Sequence, residues 1–441
     1  MTAASMGANR RHETAPIRTD DHHTAWRAIA FLTLILFGGA LMRTVFAPLQ
    51  EAAKLDLKLS DFDISLVQGL AAGAPVSIVA VPLAWVIDHG HRVRLLIMLM
   101  VICVIGTLWT AFAGGLQSLF LARVLAAVGA SCAVSVIISI VADLSAADRR
   151  GRSIVILALG VYVGGAAAFA LGGQLLKTLA DHPVVSLAGM APWRATHLLL
   201  GLAGTILLFP LFFLREPARR EVEVVSAALG PTLRAIWTKR RFLLPLFVGQ
   251  IGVTMADTAA GIWATPVLIR QYHLQPVAFA GWVGGLILVS GVAGSVLAGF
   301  AADFGHKTGR RGGLLFPAVV ATVVGIPAAL FPVMPSVGGF QLCFFFLLLT
   351  GTVCSVVAST SVTVLIPNEE RGAAMAAFGV INALVGMSLA PTIVTLGSEA
   401  LGGEQHLAVS LATTGVVTGL LSFGGYFFAM RNAPLSATEW R

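Results

Sequence analysis

Three charged side chains fall inside stretches that are otherwise apolar: Arg43, Arg123 and Asp257. A charge at bilayer depth costs about 2.5–3.5 kcal/mol on insertion scales, so it persists where it faces a polar cavity or a partner. Guanidinium forks match carboxylate and phosphate groups bidentately, and two arginines against one aspartate leave a positive surplus that an anionic ligand would satisfy. Arg43 and Arg123 are therefore candidate substrate-binding residues. Gln250, seven residues before Asp257 and so on its helix face, joins them, as does Ser355, one of several hydroxyls in the tenth apolar run. Asp257 is the only carboxylate deep inside a run, which makes it the candidate proton carrier. A structural reading competes: Arg123 orders neighbouring helices and Arg43 pairs with Asp257, although a buried pair stabilises weakly because desolvation offsets the Coulomb gain.

These residues need long apolar helices to hold them. The 441-residue chain is 57% hydrophobic and 11% charged, with a mean hydropathy of +0.87, too few charges to cover a water-soluble globule. Twelve runs are each long enough to cross about 30 Å of hydrocarbon. They fall at 26–50, 65–87, 95–113, 118–142, 153–176, 195–214, 242–268, 279–301, 314–333, 340–366, 372–397 and 407–430. The expected fold is an all-α membrane protein with twelve transmembrane helices in two pseudo-symmetric six-helix bundles.

The expected domains are a disordered cytoplasmic tail at 1–25, an N-terminal bundle at 26–214, a cytoplasmic linker at 215–241, a C-terminal bundle at 242–430 and a cytoplasmic tail at 431–441. With the N-terminus inside, 22 of the 29 Lys and Arg residues lie on the inner side against five outside (Lys54, Lys58, Lys177, Arg194 and Arg270). That bias predicts both termini in the cytoplasm and residence in the cytoplasmic (inner) membrane. The same logic assigns the net charge of +8 to topology rather than to nucleic acid.

The halves repeat. Asp88 follows the second run and Asp303 the eighth, 215 residues on; Arg150 follows the fourth and Arg371 the tenth, 221 residues on. Arg43 and Asp257 are likewise separated by 214 residues. Each lies 16 residues beyond a basic marker of the inner interface (Arg27, Arg241), hence at a depth of about 24 Å. Arg123 enters from the other side. A symmetric arrangement predicts that the three charges face one cavity, with Arg43 and Asp257 opposed across the axis between the halves.

Pro82 to Arg94 reads PLAWVIDHGHRVR and Leu119 to Arg152 reads LFLARVLAAVGASCAVSVIISIVADLSAADRRGR. With the six-plus-six layout these resemble the major facilitator superfamily, and the Asp-x-x-x-Arg spacing with the ADLSAADRRGR run resembles its spinster-type branch. The resemblance implies transport of lipids or organic anions by alternating access through a cavity lined by the first, fourth, seventh and tenth helices. It also implies a conformational latch at cytoplasmic helix ends, here Asp88, Arg92, Arg94, Asp143, Arg149, Arg150, Asp303 and Arg310. The chain departs from the pattern at Ala84 (Gly in the family), His89 (Arg) and Ala130, where the spinster pattern has a Glu. Losing that Glu removes a candidate proton carrier, so the coupling that the resemblance implies does not carry over at that position. The fifth run carries Gly164-Gly165 where antiporters carry Gly-Pro.

No phosphate-binding glycine loop, metal-ligand cluster or nucleophile-base spacing occurs in the sequence. The chain is therefore expected to be no enzyme, to need no cofactor or metal, and to draw on a proton or ion gradient. Expected partners are the bilayer and a small anionic molecule, with no nucleic acid, and the expected state is a monomer. The alternative function is a drug or lipid exporter driven by proton antiport. The four cysteines are expected in the core as free thiols, and His197, His273 and His406, near outer ends, in solvent.

Overall fold

The computed structural model describes residues 19–145, 149–182, 189–219, 237–307 and 309–440. Residues 1–18 of the expected tail and 220–236 of the expected linker lie outside the described residues. Among the described residues the secondary structure is entirely helical. Among the described residues, twelve helices are long and apolar enough to cross a membrane: α1 (Trp26–Leu57), α2 (Asp61–Ala80), α3 (Arg92–Ala111), α4 (Leu116–Leu144), α5 (Arg150–Asp181), α6 (Pro192–Phe213), α7 (Arg240–Arg270), α8 (Pro276–Gly305), α9 (Gly313–Val333), α10 (Val337–Leu365), α11 (Asn368–Ala400) and α12 (Glu404–Arg431). The protein is an integral, multi-pass membrane protein. Their alternation puts the ends of α1 and α12 nearest the termini on one face, here the terminal face. The α1–α2, α7–α8 and α11–α12 connections lie on the opposite, far face.

The halves pack alike. In the first, α2 and α3 pack on α4, α3 on α6, and α1 on α5; in the second, α8 and α9 pack on α10, α9 on α12, and α7 on α11. The halves meet along two seams of equivalent helices, α2 with α11 and α5 with α8. Small residues permit this approach. A Cβ at Gly73 would lie 2.5 Å from the Ala383 carbonyl oxygen of α11, and one at Gly284 would lie 2.5 Å from that of Ala166 on α5. Apolar side chains such as Ile206, Phe213, Phe300 and Phe304 stand exposed on the outside, as a lipid-facing surface requires.

Prolines shape the helices that carry the site. In α1 the regular helix stops at Thr44 and resumes at Phe46. Pro48 has no N–H to offer the Thr44 carbonyl, and its ring crowds that turn. Wide π-turns occur at Leu66–Leu70 in α2 and Asn382–Met387 in α11, each just before a proline, Pro75 and Pro391. An extra residue in the turn absorbs the missing donor.

Of the sequence expectations outside the site, the cysteines are free, with Cys103, Cys132 and Cys354 buried and Cys343 partly so. The histidine expectation fails at His197, which is fully buried. Its Nδ1 lies 2.8 Å from the Trp193 carbonyl, one turn back on a face packed between Phe46 and Trp193. Proximity to a helix end says nothing about which way the helix face points.

Candidate functional site

Arg43 lies in the last turn before the α1 break and is partly exposed. Its guanidinium donates from Nη1 to Ser131 Oγ of α4 at 3.3 Å and has no carboxylate partner among the described residues. Arg123, on α4, is buried; it donates from Nη2 to the Arg43 carbonyl and sits over the Phe46 ring, 5.1 Å from the centroid. Arg123 thus grips the α1 break and sets the direction of Arg43. Its Nε and Nη1 are buried without a hydrogen-bond partner. Among the described residues, two guanidinium groups therefore share the interior of the N-terminal half with no counter-charge.

Asp257 lies on α7, and its position differs from the symmetric expectation. Its carboxylate rests over Gly351 of α10, where an added Cβ would come within 2.0 Å of Oδ2. It lines a cavity of about 20 Å³ formed by α7, α9, α10 and α12, all of the C-terminal half. Oδ1 is buried without a partner, and no ion pair with Arg43 forms. Equal depth and repeat symmetry do not fix how each helix is rotated about its own axis, and here α7 turns Asp257 into its own bundle.

Gln250 and Ser355 are brought together. Gln250 Nε2 donates to Ser355 Oγ (2.9 Å) and Thr254 Oγ1 (3.1 Å), while its Oε1 accepts from the Tyr426 hydroxyl (2.6 Å). The amide is buried and bonded at both ends, and it ties α7 to α10 and α12.

At the terminal face, Arg92 is buried and pairs with Asp143. It also binds Glu216 Oε1 (Nε, 2.9 Å) and the Pro217 carbonyl (Nη2, 3.1 Å) just beyond α6. Glu216 accepts from the Val93 N–H at 2.8 Å. Burial pushes the Glu216 carboxyl up, but hydrogen bonds from Val93 and Arg92 outweigh it and hold the group below its ordinary value. Arg219 donates to the carbonyls of Ile87 (2.8 Å), Gly90 (2.7 Å) and Asp88. Arg150 donates to the Ala142 carbonyl (3.1 Å). Asp88, Arg94, Arg149, Asp303 and Arg310 are exposed. The cluster centred on Arg92 and Asp143 ties the N-terminal half to residues 216–219 just beyond α6.

Charged contacts that join the halves appear on the far face, at residues for which no role was expected. Arg270, ending α7, forms bidentate bonds with Glu51 (2.6 and 3.1 Å) and reaches both Asp61 oxygens (2.6 and 2.7 Å). Lys54 bridges Asp61 (2.7 Å) and Glu404 (2.5 Å), and Glu404 also accepts from the Asp61 N–H (3.0 Å). Beneath, the buried Gln50 donates to the Ile262 carbonyl of α7 (2.6 Å) and accepts from Gln68 (2.8 Å). Five side chains, three from α1 and α2 and two from α7 and α12, close the far face. The sequence signal was present as a cluster of charges at outer helix ends, but orientation counting uses basic residues and passes over their acidic partners.

A twelve-helix protein of two like halves, with unpaired charges at depth and a closed far face, has the build of a membrane transporter. The sequence profile of the Major Facilitator Superfamily matches residues 32–391, and the chain belongs to that superfamily, a class of transporters and not of enzymes. It is 27% identical over 423 residues to an MFS-type efflux pump of Mycolicibacterium smegmatis, covering 90% of this chain and 93% of the relative. Its fold is similar to the crystal structure of a bacterial homolog of the human lysosomal transporter Spinster, in an inward-facing and unoccupied conformation. That match has a TM-score of 0.79 at 21% identity and covers 95% of this chain and 98% of the other. A D-xylose-proton symporter matches with a TM-score of 0.66 at 14% identity, covering 91% and 97%.

Proposed function

We propose that this transporter is a spinster-type carrier that moves an organic anion or anionic amphiphile by alternating access, coupled to protons through Asp257. The observation that carries the reading is the pair of guanidinium groups of Arg43 and Arg123 with no counter-charge in the N-terminal half. Buried charge is costly unless matched, and an anionic headgroup at Arg43 supplies the match. Arg123 holds α1 in place and adds to the field, while Gln250 and Ser355 set the packing of α7 and α10 beside it. Asp257, equally unmatched, takes the proton. In this reading the far-face network is the closed gate of one state of the cycle, and the basic residues at the terminal face argue that this face is cytoplasmic. The charged groups at that face (Asp88, Arg92, Arg94, Asp143, Arg149, Arg150, Asp303 and Arg310) form the latch of the opposite state.

The test is uptake of radiolabelled decyl phosphate into proteoliposomes under an imposed pH gradient. The reading expects gradient-driven uptake that Asp257→Asn uncouples and Arg43→Ala abolishes. Equal, gradient-sensitive uptake by both variants contradicts it.

A second reading, export of drugs or lipids, is favoured by the 27% identical efflux pump. Depletion of a cationic dye from cells by the wild-type protein, with no response to decyl phosphate, selects it.

A further inference from the structure

Two wide π-turns lie along the α2–α11 seam, Leu66–Leu70 in α2 and Asn382–Met387 in α11. Such turns are rare and fall often at functional sites. Each carries one side-chain amide. Gln68, in the first, donates from Nε2 to Gln50 Oε1 at 2.8 Å and is spent on the far-face closure. Asn382 opens the second, and its Oδ1 is buried without a hydrogen-bond partner. The backbone around that turn is provided for. Ser388 Oγ donates to the Ala383 carbonyl (3.1 Å), and Ser77 Oγ of α2 donates across the seam to the Val380 carbonyl (3.3 Å). What the turn leaves over is the amide oxygen of Asn382.

Its surroundings define what would satisfy it. A Cβ built at Gly386, one turn on, would stand 2.9 Å from Thr254 Cβ and Cγ2 and 3.3 Å from Asn382 Oδ1, so the two side chains meet over that glycine. Thr254 Oγ1 accepts from Gln250 Nε2 at 3.1 Å, and Gln250 is fixed in turn by Ser355 and Tyr426. A hydroxyl that accepts in this way keeps its own hydrogen to give. Asn382 and Thr254 are both partly exposed, where α11 packs on α7 and α2. Together they offer one acceptor and one donor, the complement of an alcohol. An ammonium group would need a carboxylate, and Asp257, one turn along α7, is turned away over Gly351.

We infer that Asn382 and Thr254 form a subsite that recognises a hydroxyl of the transported molecule, so that the cargo is an anionic amphiphile with a neutral hydroxyl beside its acid. The cargo hydroxyl donates to Asn382 Oδ1 and accepts from the Thr254 hydroxyl. The inference rests on the reading of Arg43 as the anion-binding residue and deepens it: the N-terminal half takes the charge and the C-terminal half reads the hydroxyl. A cargo held at both points is bound to both halves at once.

The experiment is calorimetric titration of the purified full-length protein with two ligands that differ by one oxygen, the decyl ether of glycerol phosphate and decyloxypropyl phosphate, which lacks only the middle hydroxyl. The wild type is expected to bind the hydroxylated ligand about tenfold more tightly, the order of one donor–acceptor pair gained. Asn382→Leu and the near-isosteric Thr254→Val should each bring that preference close to parity and leave the affinity for decyloxypropyl phosphate in place. Thr254→Val keeps the amide should Asn382→Leu fail to fold. Equal binding of the two ligands by the wild type, a preference retained in either variant, or an equal loss of both ligands, as a merely structural role would give, overturns the subsite. Arg43→Ala separates the two claims. Equal binding of both ligands that Arg43→Ala abolishes overturns the hydroxyl subsite alone, whereas a hydroxyl preference with affinities unchanged in Arg43→Ala overturns the anion reading alone.

Discussion

The two halves of the molecule share one packing scheme and carry charges of opposite sign at depth. Among the described residues, Arg43 and Arg123 in the N-terminal half have no carboxylate partner, and Asp257 in the C-terminal half has no cationic partner. Had the halves paired Arg43 with Asp257, each would have neutralised the other and left little for a ligand to do. Kept apart, each creates a demand for an ion of opposite sign. Pseudo-symmetry in this fold repeats the scaffold and leaves the site chemistry free to diverge.

The strongest way to break this comparison is to reverse the sign in one half. Arg43→Glu is expected to weaken binding of decyl phosphate by about 100-fold, the order of two charge-assisted hydrogen bonds lost and a repulsion gained. Isothermal titration checks it, and an unchanged affinity would remove Arg43 from the anion site. Next in size is Arg270→Ala, which takes the central cation out of the far-face network. With Arg270 partly exposed, the expected cost is about 2 kcal/mol of closure. A cysteine placed at the buried Ser65, which meets Thr392 across the seam at 3.2 Å, should then react faster with an impermeant maleimide.

Gly351→Ala sharpens the contrast from the other half. Its Cβ would stand 2.0 Å from Asp257 Oδ2, so the carboxylate must move, at a cost of about 1–3 kcal/mol. The pH dependence of uptake should shift while decyl phosphate affinity stays the same. The smallest effect belongs to Glu216. Its folded-state pKa lies below the unfolded one, so its contribution to stability is full above the ordinary glutamate range and is lost as pH falls through the folded value. Glu216→Gln should therefore lower Tm at neutral pH by the equivalent of about 1 kcal/mol and leave a smaller loss at acid pH, read from unfolding scans across pH.

The fold was legible because runs of about 20 apolar residues admit few alternatives in a bilayer and because the Asp88/Asp303 and Arg150/Arg371 loops repeat in order. The site was legible in its residue types and less so in its geometry. Arg43 and Asp257 stood out as charges at depth, yet depth leaves rotation about the helix axis open, and α7 directs Asp257 toward Gly351 rather than toward α1. Arg92 with Asp143 followed from the resemblance of a motif. The far-face network did not, since Lys54 with Glu404 and Arg270 with Glu51 lie 350 and 219 residues apart and become neighbours only once the halves are docked. His197 failed for the same reason as Asp257: position along a helix was known, direction was not.

The central claim is that anion and cation are handled in separate halves. Its most direct test is titration of decyl phosphate into purified wild-type, Arg43→Ala and Asp257→Asn protein across a range of pH. The account predicts that Arg43→Ala loses binding at every pH, while Asp257→Asn still binds but no longer responds to pH. Loss of binding in Asp257→Asn as deep as in Arg43→Ala would place both residues in one shared site and contradict it.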